Sequence, residues 1–156
     1  MLNPYRQEIR KIAFVFAHAG IREDGGNRAY AVAAAVLDPE GPPRSYESLI
    51  RYPHLTARER YYSNLSKEAL QSAPEPAAVR RSLAEFLGEQ SVILAYSHQD
   101  TLRDVEGLCP GKRVVDLGFA VEFFFPQADA FSPKRLWEFF HQRERDRIYF
   151  TAAETV

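Results

Sequence analysis

The sequence predicts an α/β protein in which helices flank a five-stranded mixed sheet. Three observations support this fold class. Residues 12–16 form a short apolar run of β-branched and aromatic residues, which is typical of a strand in the interior of a sheet. Two strand-like segments follow it after short turns, which predicts antiparallel pairing. Beyond residue 56, helical patterns alternate with strand patterns, as they do in mixed α/β sheets.

Turn-forming residues bound the second and third predicted strands. Residues 29–37 are rich in Ala and Val, and residues 38–43 contain three prolines and a glycine. Residues 45–52 alternate between apolar and polar side chains until Pro53 stops the pattern. We therefore predict an antiparallel meander of the first three strands, with the first strand in the interior of the sheet.

Capping signals predict the helices in the middle of the chain. Thr56 begins a Thr-Ala-Arg-Glu segment with the spacing of a capping box, and residues 66–72 form a further short helix. Pro74 and Pro76 open an amphipathic helix that Gly88 ends. Its apolar face consists of Val79, Leu83, Phe86 and Leu87.

The remaining elements alternate between strand and helix. Residues 91–96 are a fully apolar fourth strand, and residues 113–116 are a brief fifth strand. Helices are predicted over residues 100–107 and 117–125. A further helix starts at the Ser132-Pro133 pair and carries Leu136, Trp137 and Phe140.

Composition predicts a single globular domain over residues 1–156, with residues 1–10 as an N-terminal extension. The chain is 46% hydrophobic and 13% aromatic, which suits a packed core. Twenty Lys and Arg against 21 Asp and Glu give a net charge of −1, so no bulk attraction to nucleic acid is expected. The single cysteine, Cys109, suits a reducing compartment. No apolar run reaches the ~20 residues of a membrane span, so we expect a soluble, cytoplasmic protein.

Three segments carry a resemblance to a known family. The best is residues 62–74, in which Ser63 to Ser66 correspond to a Thr-Gly-Ile-Thr segment. Residues 92–97 are similar to a strand that ends in a His-Asn pair, and residues 114–117 are similar to a Val-x-Asp-Thr strand end. In this order they resemble the DnaQ-type (RNase T-like) 3′-5′ exonucleases of the RNase H-like fold, over about residues 11–154.

The resemblance implies chemistry with two divalent metal ions, but most of the ligands are missing. The first-strand Asp and Glu of the family fall on Val15 and Ala17, and the Asp after the fourth strand falls on Thr101. Only His141 and Asp146 keep the family's spacing, as catalytic remnants. We therefore expect no metal ligands and no cofactor; the alternative is Mg²⁺ or Mn²⁺.

Three functions remain open at this point. The first is a catalytically degenerate module that binds a protein partner or nucleic acid. The second is an active exonuclease with a rearranged site made of Asp100, Asp116, His141 and Asp146. The third is a structural subunit that dimerises through aromatic residues. We favour the first, with a protein partner or homodimer ranked above single-stranded nucleic acid. The predicted substrate-contacting residues are Ser63, Asn64, Leu65, Tyr96 and His98.

Two side-chain groups have alternative interpretations. The aromatic residues between 123 and 140 form either a thick core, which we favour slightly, or an exposed patch for a partner. The arginines at 143, 145 and 147 alternate with acids, which is typical of a solvated helix face. They could also line a phosphate-binding groove together with Arg58, Arg60, Arg80 and Arg81. His18 and His98 could line a pocket where the first and fourth strands end.

Overall fold

A five-stranded sheet organises the molecule. The computed structural model describes residues 12–20, 29–38, 41–52, 55–96, 101–126 and 138–139. Within these residues the strands are β1 Ile12–Ala19, β2 Ala29–Val36, β3 Arg44–Leu49, β4 Val92–Ala95 and β5 Arg113–Asp116. The helices are α1 Ala57–Ser63, α2 Lys67–Ser72, α3 Pro76–Leu87, α4 Thr101–Leu108 and α5 Leu117–Phe124.

The strand order is β3-β2-β1-β4-β5, so β1 lies at the centre of the sheet. β1 pairs antiparallel with β2, which in turn pairs antiparallel with β3. β4 pairs parallel with β1 on one side and with β5 on the other. The predicted mixed sheet, its antiparallel meander and its interior first strand are all confirmed.

The two faces of the sheet pack against different helices. On one face, Ala13, Val15 and Ala17 of β1 join a core with residues of α3 and α4. On the other face, Phe16 packs on a second cluster that includes Leu70 of α2. Successive strand residues point to opposite faces, so this division follows directly from the sequence of β1.

Burial of β1 is less complete than its apolar sequence predicts. Ala13, Val15 and Ala17 are buried, whereas Ile12 and Phe14 on the opposite face are only partly covered. β2 is buried at nearly every position, because large residues on neighbouring strands cover its small alanines. On the second face Phe14 lies opposite Ala35 and Phe16 opposite Ala33.

Two helix boundaries have clear local causes, and the predicted end at Gly88 is confirmed. Ser66 accepts a 3.1 Å hydrogen bond from the Ala69 amide at the start of α2. Gly88 ends α3 with φ of 52°, a left-handed conformation that glycine adopts without strain. β3 ends at Leu49, three residues earlier than expected, and the Arg51 amide then donates to the carbonyl of Pro74 at 2.8 Å. None of the described helices is long and apolar enough to cross a membrane.

Candidate functional site

The parallel strands β1, β4 and β5 end at one edge of the sheet, where the sequence predicts the site. Phe14 pairs with Leu94, and Ala95 pairs with Asp116. The strand ends that correspond to the family's ligand positions are therefore neighbours in space. α4 begins shortly after β4 and α5 directly after β5, so both helices start at this edge.

Val15 and Ala17 occupy the centre of this edge and are both apolar and buried. Each is 1% exposed, and both belong to the core that contains Val105 and Leu108 of α4. α4 packs directly against β1. The two positions are thus filled by hydrocarbon, with a helix covering them.

The segment Ser63–Ser66 forms a tight turn between α1 and α2. Asn64 has φ of 54°, the left-handed conformation that glycine adopts most readily and that Asn tolerates better than other residues. The Leu65 amide donates a 3.3 Å hydrogen bond to the Ser63 hydroxyl, and Ser66 caps α2. Asn64 therefore has the backbone conformation that a Gly would take in a Thr-Gly-Ile-Thr segment.

The turn is fixed to the sheet near the end of β1. Leu65 packs against the same cluster as Phe16 and Leu70. Beside Phe16, the His18 ring stacks on Tyr30 with a centroid distance of 5.8 Å and an interplanar angle of 8°. His18 is thus part of an aromatic row on this face. Leu65 thus packs on the sheet beside Phe16, and the predicted contacts of Ser63, Asn64 and Leu65 with substrate stay predictions.

Tyr96 directly follows β4 and is buried. Its predicted role in contacting substrate stays a prediction. His98, His141 and Asp146 lie outside the described residues, as does Asp100, so their predicted roles also stay predictions.

Two carboxylates near this edge have identifiable positions. Asp116 is the N-cap of α5, where its Oδ1 accepts a 2.8 Å hydrogen bond from the Gly118 amide. Asp104 of α4 is a buried carboxylate that the sequence analysis did not single out. Asp104 lies four residues before the buried Leu108 on the same side of α4, but its own burial depends on tertiary packing. Among the described residues, no group of three or more His, Cys, Asp or Glu side chains could hold a metal ion.

α5 carries three exposed phenylalanines. Phe119, Phe123 and Phe124 are 71%, 73% and 69% exposed, and we call them the α5 phenylalanine patch. The interpretation of these aromatic residues as part of a thick core is therefore wrong for Phe123 and Phe124. Helix geometry explains the exposure of Phe123, which lies opposite Leu117 and Val121, but not that of Phe124, which follows Val121 by three residues and lies on the same side.

Comparison with known proteins shows which fold this is. No protein-family model and no curated protein sequence matches the chain. The structure is similar to a 3′-exonuclease solved in recognition of a histone mRNA stem-loop, with a TM-score of 0.67 and 10% identity over 92% of this chain and 74% of that one. Exonuclease X in complex with 5′ overhanging duplex DNA matches with a TM-score of 0.57 and 9% identity, over 90% and 79% of the two chains.

A third match extends the same pattern. Exonuclease I of E. coli, in complex with a dA13 oligonucleotide, matches with a TM-score of 0.59 and 14% identity. The match covers 92% of this chain but only 38% of that protein. The chain has the DnaQ-like exonuclease fold. The RNase H-like fold class inferred from three short segments is thereby confirmed.

The residues at the edge of this exonuclease fold do not fit the metal pair that the fold family implies. Divalent Mg²⁺ and Mn²⁺ bind oxygen ligands, chiefly carboxylates, and neither Val15 nor Ala17 has a side-chain oxygen. Both are also sealed into the core, so no solvent-filled space separates them from α4. The chain has the backbone of the exonuclease fold, while Val15 and Ala17, the predicted equivalents of the first-strand ligands, contribute to packing.

Proposed function

We propose that this chain is an exonuclease-fold domain without nuclease chemistry, which acts as a binding module. The single observation that supports this most strongly is the complete burial of Val15 and Ala17 in the core. In two-metal phosphate chemistry, the ions stabilise both the attacking and the leaving oxygen, and carboxylates must hold them. A valine and an alanine supply neither charge nor a lone pair.

The binding role rests on what the fold has kept. The Ser63–Ser66 turn has its left-handed residue, its internal hydrogen bond and its helix cap. None of these features is needed to fill a core, because Asn64 and Ser66 are exposed. The similar proteins were solved with an RNA stem-loop, duplex DNA and single-stranded DNA. These observations support single-stranded nucleic acid as a ligand.

A protein partner is supported more strongly. The α5 phenylalanine patch is uncharged and exposed, and apolar contact does not depend on net charge. Nucleic-acid binding relies on neutralising phosphates with Lys and Arg, whereas this chain has a net charge of −1. We therefore place protein association first and single-stranded nucleic acid second.

The absence of nuclease chemistry is tested with the purified full chain. Single-stranded DNA and RNA, labelled at the 5′ end, are incubated with 10 mM Mg²⁺ or 1 mM Mn²⁺ and separated on a denaturing gel. We expect no 3′ trimming above that of a mock purification. Calorimetric titration with Mn²⁺ is expected to show no binding with Kd below about 1 mM, since one or two isolated carboxylates hold such ions weakly.

The alternative is an active exonuclease with a rearranged site. Asp116→Asn and Asp146→Ala variants distinguish it from a contaminating nuclease. Metal-dependent trimming that both variants abolish would contradict the proposed function and assign catalysis to these carboxylates. Trimming that persists unchanged in both variants and elutes away from the protein peak would identify a contaminant and leave the proposal standing.

A further inference from the structure

Residues 55–72, which contain α1 and α2, form an excursion from the sheet that begins and ends at nearly the same place. The Arg51 amide, shortly before this excursion, donates a 2.8 Å hydrogen bond to the carbonyl of Pro74, shortly after it. The Arg51 Nε donates to the carbonyl of Ala73 at 3.2 Å, and its guanidinium forms an ion pair with Glu75. We call residues 55–72 the α1–α2 strap and these three contacts the Arg51 clamp, because they join the two ends of the strap.

Little of the α1–α2 strap is buried. Among its described side chains, only Leu55 and Leu70 are buried, and they pack with the half-buried Leu65 on the second cluster of the sheet. α3, by contrast, buries one apolar residue on each of its turns. Burial of apolar surface is the dominant force that holds a helix to a sheet. The strap is therefore attached much more weakly than the neighbouring helix α3.

The two helices of the strap depend on this attachment. α1 has seven residues and α2 has six, whereas isolated helices shorter than about 12 residues are marginal in water. Once the three leucines leave the sheet, both helices should lose their hydrogen bonds together. The Arg51 clamp does not have to break at the same time, because its contacts are with residues that follow the strap.

We propose that the α1–α2 strap opens as a single unit while the sheet and the Arg51 clamp stay closed. Opening detaches Leu65 and Leu70 from the second cluster and so uncovers Phe16 and Tyr52. The Ser63–Ser66 turn moves with the strap. This goes beyond the proposed function, because it assigns a second conformation to the fold and requires no ligand. Partial openings of this kind involve the regions of a protein that have the fewest buried apolar contacts.

Native-state hydrogen exchange of the full chain, followed by NMR at urea concentrations below the unfolding transition, tests the strap. The amides of Arg60, Asn64 and Leu70 donate to carbonyls within the strap. Their protection factors should agree within about threefold and fall with urea along one line. The Ile50 amide, which is hydrogen-bonded to β2, should be protected at least about tenfold more, and the Arg51 amide should exchange with it.

Two matched leucine variants separate opening of the strap from unfolding of the whole chain. Leu70→Ala should lower the protection of strap and sheet amides by the same factor, about 30-fold or more, because Leu70 is exposed in both open states. Leu83→Ala, at a buried position of α3, should lower the protection of the Ile50 amide alone, because Leu83 stays buried when only the strap opens. Val79→Ala, a smaller truncation on α3, serves the same purpose if Leu83→Ala does not fold.

Arg51→Ala tests the clamp. Without its side-chain contacts, the base of the strap should open as well, so that protection of the residue 51 amide falls toward that of the strap while the Ile50 amide is unchanged. Lys112→Ala is the matched control, since the Lys112 Nζ donates a 2.7 Å hydrogen bond to the carbonyl of Gly88 outside the strap. It should leave the residue 51 amide as protected as in the wild type.

Three results would overturn the proposal. Strap amides as protected as the Ile50 amide would show that the strap has no opening of its own. Different urea slopes among the strap amides would show independent fraying. Equal loss of protection in strap and sheet after Leu83→Ala or Val79→Ala would show that the strap opens only with the whole fold. None of these measurements involves nuclease activity or a ligand, so failure of the strap is distinguishable from failure of the proposed function.

Discussion

The amide of Leu65 donates a 3.3 Å hydrogen bond to the hydroxyl of Ser63, across a residue with left-handed backbone. That residue, Asn64, lies where the resemblance to the exonucleases places a glycine. A left-handed conformation costs most residues about 1–2 kcal/mol, and Gly and Asn pay least. Asn64 thus allows the turn to adopt the backbone conformation that a glycine would adopt.

Substitutions at Asn64 should follow backbone strain rather than loss of contacts. We expect Asn64→Gly to leave the free energy of unfolding within about 0.5 kcal/mol of the wild type, and Asn64→Ala to lower it by about 1 kcal/mol. Urea unfolding followed by circular dichroism measures both. Gln71→Ala, at an exposed position of α2, is the control and should be nearly neutral. Equal stability of the Ala and Gly variants would show that the turn is unstrained.

Much of the fold could be predicted from the sequence because its signals are local. Helix ends and β1 depend on local residue choices, such as the Gly88 stop and the apolar run of residues 12–16. Each of these was read correctly because its physics lies within a few residues. The antiparallel meander and the interior first strand followed from the same segments, since short turns permit antiparallel pairing.

Restoring carboxylates tests whether the edge is a former metal site. Val15→Asp with Ala17→Glu should lower the free energy of unfolding by at least about 3 kcal/mol, because two charges would enter the core. If the backbone still has the geometry of a metal site, 10 mM Mg²⁺ should recover a measurable part of this loss in thermal unfolding. Leu37→Asp, at an exposed position, controls for charge alone and should not respond to Mg²⁺. A double variant as stable as the wild type would contradict the burial argument.

The site was harder to predict than the fold, for a physical reason. Val15 and Ala17 were read as missing ligands, but their sequence gives no sign that α4 covers them so completely, because that contact joins distant segments. Asp104 was missed for the same reason, since burial of a single carboxylate depends on tertiary packing. The exposure of Phe123 and Phe124 likewise follows from where α5 sits on the sheet, and not from helical periodicity alone.

Cys109 should make stability depend on pH in the alkaline range. Burial raises the pKa of this thiol from 9.0 to about 11, and the charge of Lys112 opposes the shift only in part. Between these values the unfolded chain loses the proton while the folded chain keeps it. The thiol's contribution to stability is therefore complete below pH 9 and falls by about 1.4 kcal/mol per pH unit up to pH 11.

The Cys109→Ala variant isolates this effect from other groups that titrate above pH 9. Its free energy of unfolding should be lower than that of the wild type at pH 8, because a buried sulfur is removed. The difference in the free energy of unfolding between the two proteins should decrease by about 2 kcal/mol at pH 10.5. Urea unfolding at pH 8, 9.5 and 10.5 measures it. Parallel pH profiles for the two proteins would contradict the raised pKa.

A hydrogen bond between β3 and α3 should contribute measurably to stability. Tyr46 Oη and Ser82 Oγ are 2.7 Å apart, and Tyr46 also packs against Phe86. A double-mutant cycle of Tyr46→Phe and Ser82→Ala should give a coupling energy of about 0.5–1 kcal/mol. Tyr46→Phe with Ser45→Ala is the control pair, since residue 45 lies on the opposite face, and it should give additive effects. A coupling energy near zero would show that water replaces this bond without cost.

Titration with a short single-stranded oligonucleotide tests whether protein association ranks above nucleic-acid binding. The titration is done at ~150 mM salt, where nonspecific electrostatic binding is weakened. With a net charge of −1, the chain has no excess of cations to release counterions from phosphate. We therefore expect Kd of about 100 μM or weaker, measured by fluorescence anisotropy. Arg143→Ala with Arg147→Ala tests the arginine-rich segment, and Arg103→Ala with Arg113→Ala, two exposed arginines outside the predicted groove, is the matched control. Binding at micromolar strength that only the first pair abolishes would place nucleic acid ahead of protein. In that case, the slope of log K against log salt concentration should become shallower by about two in the double variant. Each arginine that contacts a phosphate contributes close to one unit to this slope.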